Sequence, residues 1–272
     1  MIGLVLVLAV LIGFTVGLLG GGGSILGVPM LRYIGGLEAK EAIATTLLIV
    51  ATTSGVGTIQ HARAGNVDWR TGAIFTVTAA LGGYTGGSTA QFLSEATLLF
   101  LFAIMMLVTA VMMFRGRKDM SPREEPLPLG IASIEGLIVG FVTGLIGVGG
   151  GFMVLAALVL AGGMPMHRAV GTTLLVVTLK SYAAFAGYIS HVTVDYNLAA
   201  SVTAVAVIGT IMGASLSQRV PAEKLRKSFA VMVLVMAGIV LGQERGLEIA
   251  LMGTTPAVLY MLWRMRLQRS TA

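Results

Sequence analysis

Cysteine is absent from this 272-residue chain. A disulfide framework, a thiolate-bound metal or cluster, and thiol redox chemistry are therefore all excluded. Charge is scarce too: Asp, Glu, Lys and Arg make up 11% of the residues, against about 25% in a soluble domain. Three histidines, His61, His167 and His191, are scattered near the ends of apolar runs with no carboxylate at ligand spacing. No nucleophile–base pair and no paired acids stand out. These shortages argue against an enzyme and imply no metal, catalytic residue or cofactor. The aromatic residues do not interleave with the basic ones, so no nucleic-acid surface is expected either.

What remains is apolar. The chain is 56% hydrophobic with a mean hydropathy of +0.92, and most apolar runs reach the roughly 20 residues that span about 30 Å of hydrocarbon. Its partner is the lipid bilayer. The net charge of +6 gathers at 115–123, 219–227 and 264–269, beside the ends of apolar runs, as cytoplasmic loops do under the positive-inside rule. The N-terminal stretch Met1–Leu19 has no positively charged start and reads as part of the mature fold.

Against this background, glycine is abundant where a helix tolerates it least. Gly-Leu-Leu-Gly-Gly-Gly-Gly-Ser at 17–24 recurs 127 residues on as Gly-Leu-Ile-Gly-Val-Gly-Gly-Gly at 144–151. Each glycine inside a helix costs about 0.5–1 kcal/mol relative to alanine, and unwound backbone in a bilayer survives only when packed in protein or facing a wet cavity. The same offset aligns Gly13-Phe14 with Gly140-Phe141, Thr45-Thr46-Leu47-Leu48 with Thr172-Thr173-Leu174-Leu175, and Ser54 with Ser181. It also aligns Val67-Asp68 with Val194-Asp195, and Gly82 and Gly86 with Gly209 and Gly213. The chain is an internal duplication: a first repeat over 1–115, a cytoplasmic linker at 116–128, a second repeat over 129–242, and an extra helix at 246–263.

Each repeat reads as a first helix (2–19; 129–146), a glycine break, and a short apolar segment (24–34; 151–162). Three longer helices follow (40–62, 69–93 and 97–115; 167–190, 196–218 and 223–242). If the first helix and short segment go in and come back as a hairpin, the basic clusters and Arg63 and Arg70 all fall in the cytoplasm. A single crossing would place Arg219, Lys224, Arg226 and Lys227 outside. The hairpin is the preferred reading. It gives each repeat an odd number of crossings and hence inverted topology, with the glycine tips near mid-membrane. The fold class is an all-α membrane protein of two inverted-topology repeats plus one helix.

Paired breaks at equivalent points of two halves point to a transporter's binding site. Helices that begin inside the membrane aim free N–H groups and the positive dipole end at whatever lies there. Gly20, Gly21, Gly22, Gly23 and Ser24, with Gly147, Val148, Gly149, Gly150 and Gly151, are thus expected to make two facing anion cradles. Close packing is the simpler reading for Gly82/Gly86 and Gly209/Gly213. In each threonine pair, Thr45-Thr46 and Thr172-Thr173, one hydroxyl is expected to line the site and one to bond back to its own helix. Ser54 and Ser181 could line the same path. Lys180 lies about 13 residues into an apolar helix, where a charge is a functional hypothesis by default. Its repeat partner is Thr53, no acid lies near mid-span to neutralise it, and a permeating anion is the natural counter-ion. His61 reads as interfacial and structural, while Asp68 and Asp195 read as caps.

The run Gly-Phe-x-x-Gly-Leu-hydrophobic-Gly-x-Gly-Gly at 13–23 and 140–150, with Ala-x-x-Thr-Thr-Leu at 42–47 and 169–174 and Asn-Val-Asp-Trp at 66–69, resembles the sulfite exporter TauE/SafE family. The resemblance spans Gly13 to about Leu241. It implies a multi-pass transporter in the cytoplasmic (inner) membrane that moves sulfite or a related sulfur oxyanion or organosulfonate, often as an exporter. By position it carries over Gly20–Ser24, Thr45, Thr46, Gly147–Gly151, Thr172 and Thr173, whereas Lys180 comes from the physical reading alone. The expected function is alternating-access transport of such an anion, held between the two glycine-tipped half-helices. The alternative is a passive small-anion channel.

Overall fold

The structure, a computed structural model, describes residues 2–20, 24–115, 129–146, 150–245 and 254–255. All regular structure among them is helical. α1 (Ile2–Leu19) leads to the short α2 (Ser24–Pro29), which runs on as a π-helical turn, Met30–Ile34. Then come α3 (Ala39–Arg63), α4 (Trp69–Thr89) and α5 (Glu95–Arg115). The second half repeats the series as α6 (Leu129–Ile146), α7 (Gly151–Ala156) with its π-helical turn Ala157–Ala161, α8 (Met166–Tyr188), α9 (Tyr196–Ser217) and α10 (Ala222–Arg245). Among the described residues, five helices are long and apolar enough to cross a membrane: α3, α5, α8, α9 and α10. α4 matches them in length but is rich in glycine and threonine, because it packs between α6 and α8. Of the expected extra helix at 246–263, all but residues 254–255 lies outside the described residues.

The helix ends follow from local chemistry. Asp68 caps α4 by accepting a bond from the Thr71 N–H (3.0 Å), and Asp195 caps α9 by accepting from Asn197 (2.9 Å) and Leu198 (3.1 Å), so the first turns' free donors are satisfied as expected. Gly36 and Gly163, at φ +74° and +65°, turn the chain after each short segment where a side chain would be strained.

Packing between helices rests on glycine seams that interlock the two halves. α1 packs on α9 and α6 packs on α4. A Cβ on Gly13 or Gly17 would overlap the carbonyls of Ala206 or Thr210, and one on Gly209 or Gly213 those of Val10 or Phe14. The other seam matches it: Gly140 and Gly144 lie against the Ala79 and Gly83 backbone, and Gly82 and Gly86 against Leu137 and Phe141. These are the close backbone approaches that small residues permit in membranes, and they bear out the packing role expected of Gly82/Gly86 and Gly209/Gly213.

The contact register fixes helix directions. Along both glycine seams residue numbers rise together, so α1 runs parallel to α9, and α6 to α4. α4 also runs parallel to α8, with Gly72 beside Leu175, Gly83 beside Lys180 and Gly87 beside Tyr188. α3 and α8 run in opposite directions: Thr52 bonds Tyr182 (3.1 Å), Gly55 lies by Thr178 and Gly57 by Leu174. Charge divides by end. Arg63, Arg70, Arg168, Arg219, Lys224 and Lys227 lie where α3 and α9 finish and α4, α8 and α10 begin, whereas Glu38, Glu41, Glu95 and Asp195 lie at the opposite end with Arg32 and Lys40.

Candidate functional site

Lys180 is completely buried, eight residues before the end of α8, or about 12 Å at 1.5 Å per residue. Its Nζ donates to Thr143 Oγ1 on α6 at 2.7 Å, and Thr143 in turn donates to the Val139 carbonyl at 2.7 Å. Gly150, at φ +54°, sits against both: a Cβ there would overlap Thr143 and come within 2.6 Å of Lys180 Nζ. The stem of Lys180 lies over Gly83 of α4. The second glycine break, the amine of a buried lysine and a hydroxyl therefore meet at one point. A side chain at either glycine would crowd it.

At the first break Gly20, at φ +66°, is pressed against the backbone of Val170, near the start of α8. The short helices that follow the two breaks, α2 and α7, touch one another. Gly151 opens α7 and is buried, and Ser24 opens α2. Gly21, Gly22, Gly23, Gly147, Val148 and Gly149 lie outside the described residues.

The hydroxyls are spread along the antiparallel α3–α8 pair. Thr45 and Thr46 sit near the start of α3, Ser54 and Ser181 in the middle of the two helices, and Thr172 and Thr173 near the start of α8. All six are buried. Thr172 Oγ1 accepts from the Asp68 N–H (2.9 Å) and so ties the α3–α4 connection to α8. The hydroxyls of Thr45, Thr46, Thr173, Ser54 and Ser181 have no protein partner. None of the four pair threonines bonds back to its own helix, contrary to expectation. That pattern belongs to Thr53, Thr58 and Thr143, bonded to Ile49, Ser54 and Val139. The pair threonines instead pack their methyls against glycines, Thr46 on Gly27 and Thr172 on Gly72.

Two further polar groups lie at the second break. Thr143 has Val16 as its repeat partner. Tyr188 donates its hydroxyl to the Leu145 carbonyl at 2.7 Å, at the carboxyl end of α6. The signal for both was the repeat itself: 143 and 180 are positions where the halves differ, and Tyr188 replaces His61. His61 is fully buried in the protein, two residues before the end of α3.

A bundle of apolar helices, with membrane-length spans, a buried lysine and unpartnered hydroxyls inside, is the frame of a membrane transporter. Comparison with known proteins agrees. The family model described as Sulfite exporter TauE/SafE matches residues 5–240. A probable membrane transporter protein of Xylella fastidiosa is 33% identical over 235 residues, covering 84% of this chain and 90% of that protein. One from Methanocaldococcus jannaschii is 30% identical over 247 residues, covering 82% and 90%. One from Bacillus subtilis is 27% identical over 243 residues, covering 88% and 99%. No solved structure matches. The chain belongs to the sulfite exporter TauE/SafE family and is a multi-pass protein of the cytoplasmic membrane.

Proposed function

We propose that the chain moves a small sulfur-containing oxyanion or organosulfonate, sulfite being the type substrate, across the cytoplasmic membrane by alternating access. One observation carries the reading: a lysine wholly buried in an apolar helix, its ammonium beside a glycine break and a hydroxyl. A charge at such depth is costly unless it is paired or solvated. An anion arriving at Gly150 and Gly151 would meet Lys180, the Thr143 hydroxyl and unwound backbone together. The free hydroxyls of Ser54, Ser181, Thr173, Thr45 and Thr46 give it acceptor-seeking donors along the α3–α8 pair.

The helix directions support inverted repeats. α3 and α8 are equivalent in the duplication and run antiparallel, as helices of oppositely inserted halves must. α6 and α8 both run parallel to α4, so the segment 150–161 between them leads the chain back, which is the hairpin reading. Trp69 and Tyr196, equivalent in the repeat and both exposed, start helices at opposite ends, where amphipathic rings anchor at the two interfaces. The basic end is the cytoplasmic one by the positive-inside rule.

The test is labelled sulfite flux into proteoliposomes of the purified protein, competed with sulfate, thiosulfate, taurine and sulfoacetate. Saturable flux with accelerated exchange when unlabelled anion is loaded on the far side supports alternating access. Flux that does not saturate and shows no such exchange would make the protein a channel.

A further inference from the structure

At the basic end of the bundle, the connection between α3 and α4 is fastened to the start of α8. The Asp68 N–H donates to Thr172 Oγ1 at 2.9 Å. The Asp68 carboxylate caps α4 and also pairs with Arg168 at 3.4 Å. Gly171 makes room for this approach, because a Cβ there would overlap the Asn66 carbonyl of the same connection. Gly72, in the first turn of α4, lies over Thr172 and Leu175. A hydrogen bond, an ion pair and a close backbone approach thus meet at one spot.

The duplication sets an equivalent spot at the opposite end, between the start of α3 and the connection from α8 to α9. There Asp195, Thr45, Glu41 and Ala44 stand for Asp68, Thr172, Arg168 and Gly171. The three contacts do not recur. The Thr45 hydroxyl is buried without a partner, so the Asp195 N–H does not donate to it. Glu41 is an acid where Arg168 is a base, and two carboxylates repel rather than pair. Ala44 carries the Cβ that Gly171 lacks. Consistently, α9 packs less extensively on α3 than α4 does on α8. The asymmetry is written in the residues as well as in the packing.

We propose that Asp68, Thr172 and Arg168 form a one-sided latch that holds the basic end of α4 shut on α8. Opening that end breaks a hydrogen bond and an ion pair, whereas the opposite end has neither to break. The protein therefore rests closed to the cytoplasm, and that end opens only in a minor, unlatched population. Thr172 serves the latch and leaves the other hydroxyls of α3 and α8 to the path. The part played by the latch in transport rests on the function proposed above; the latch itself does not.

Because the chain has no native cysteine, thiol labelling of the full protein in membrane vesicles tests it. Thr76 is buried one turn beyond Gly72 on the same face of α4, so Thr76→Cys reports on the latched end. Thr45→Cys reports on the other. An impermeant maleimide reads the first in inside-out vesicles and the second in right-side-out ones. Adding Thr172→Val should speed labelling of Thr76→Cys about three- to tenfold, the effect of losing one hydrogen bond. Arg168→Gln, at a half-exposed side chain whose loss spares the fold, should speed it about two- to fivefold. Labelling of Thr45→Cys should slow in both variants, as alternating access requires. Unchanged labelling of Thr76→Cys in both overturns the latch, and so does an equal rise at the two reporters, which is general loosening. A rise at Thr76→Cys with Thr45→Cys unmoved keeps the latch and sinks alternating access. Absent sulfite flux with the labelling pattern intact would sink the transport reading alone.

Discussion

Lys180 and Thr143 are polar residues at which the halves differ, Thr53 and Val16 standing in their places in the first half, and they bond to each other. These two differences meet at one point in space, the lysine donating to the hydroxyl on the neighbouring helix. Thr53, in the equivalent place, bonds back to Ile49 within its own helix. Lys180→Met keeps the length and burial of the side chain while removing its charge. It should weaken anion binding by about tenfold or more, since hydrogen bonds to charged groups contribute roughly 1.5–3 kcal/mol, with little change in membrane insertion. Isothermal binding or competition of flux reads the effect, and unchanged affinity would take the charge out of the site. At Gly150 a Cβ would meet Thr143 and Lys180 at a left-handed backbone position. Gly150→Ala should therefore abolish saturable flux while the protein still reaches the membrane. Normal flux would reduce that glycine to a packing role.

At the scale of elements, the glycines divide into two populations. Gly13, Gly17, Gly140 and Gly144 lie in the middle or last turns of α1 and α6 and face backbone of the other half; they are seams. Gly20 and Gly150 have positive φ and end or begin helices; they are breaks. A seam glycine cannot gain a side chain without driving two helices apart. Gly13→Val or Gly140→Val should cost about 1–3 kcal/mol or more by overpacking, seen as a lowered unfolding temperature in detergent. Gly130, with open space around it, is the control, and Gly130→Ala should leave that temperature unchanged. Equal effects at all three positions would mean that the seams do not hold the halves together.

For the whole molecule, the interlocking of halves ties stability to the duplication. α1 belongs to the first half by sequence and to the second by packing, and α6 is the converse. Neither half can bury its first helix alone, so separately expressed halves should associate and neither should be stable by itself. Direction can be read chemically because the chain has no native cysteine. Ala64 at the end of α3 and Ser190 after α8 are both exposed and are placed by the antiparallel α3–α8 pair at opposite ends. In intact cells an impermeant maleimide should label Ser190→Cys at once and Ala64→Cys only after the membrane is opened. Labelling of both from the same side would defeat the inverted arrangement.

The sequence by itself determined the membrane class, the duplication, the helix boundaries, the caps at Asp68 and Asp195, and the singularity of Lys180. Each is a local property: hydropathy, an offset, a side chain within reach of its own turn, a charge out of place. Tertiary structure alone decided what Lys180 bonds to, which backbone each seam glycine faces, and that the threonine pairs lie at opposite ends of α3–α8. It also decided that His61, near the end of α3, is fully buried. The physical reason is that these depend on which helix faces which and in what direction. That is set by close packing among helices far apart in the chain, and helices of similar apolarity carry no local mark of their neighbour.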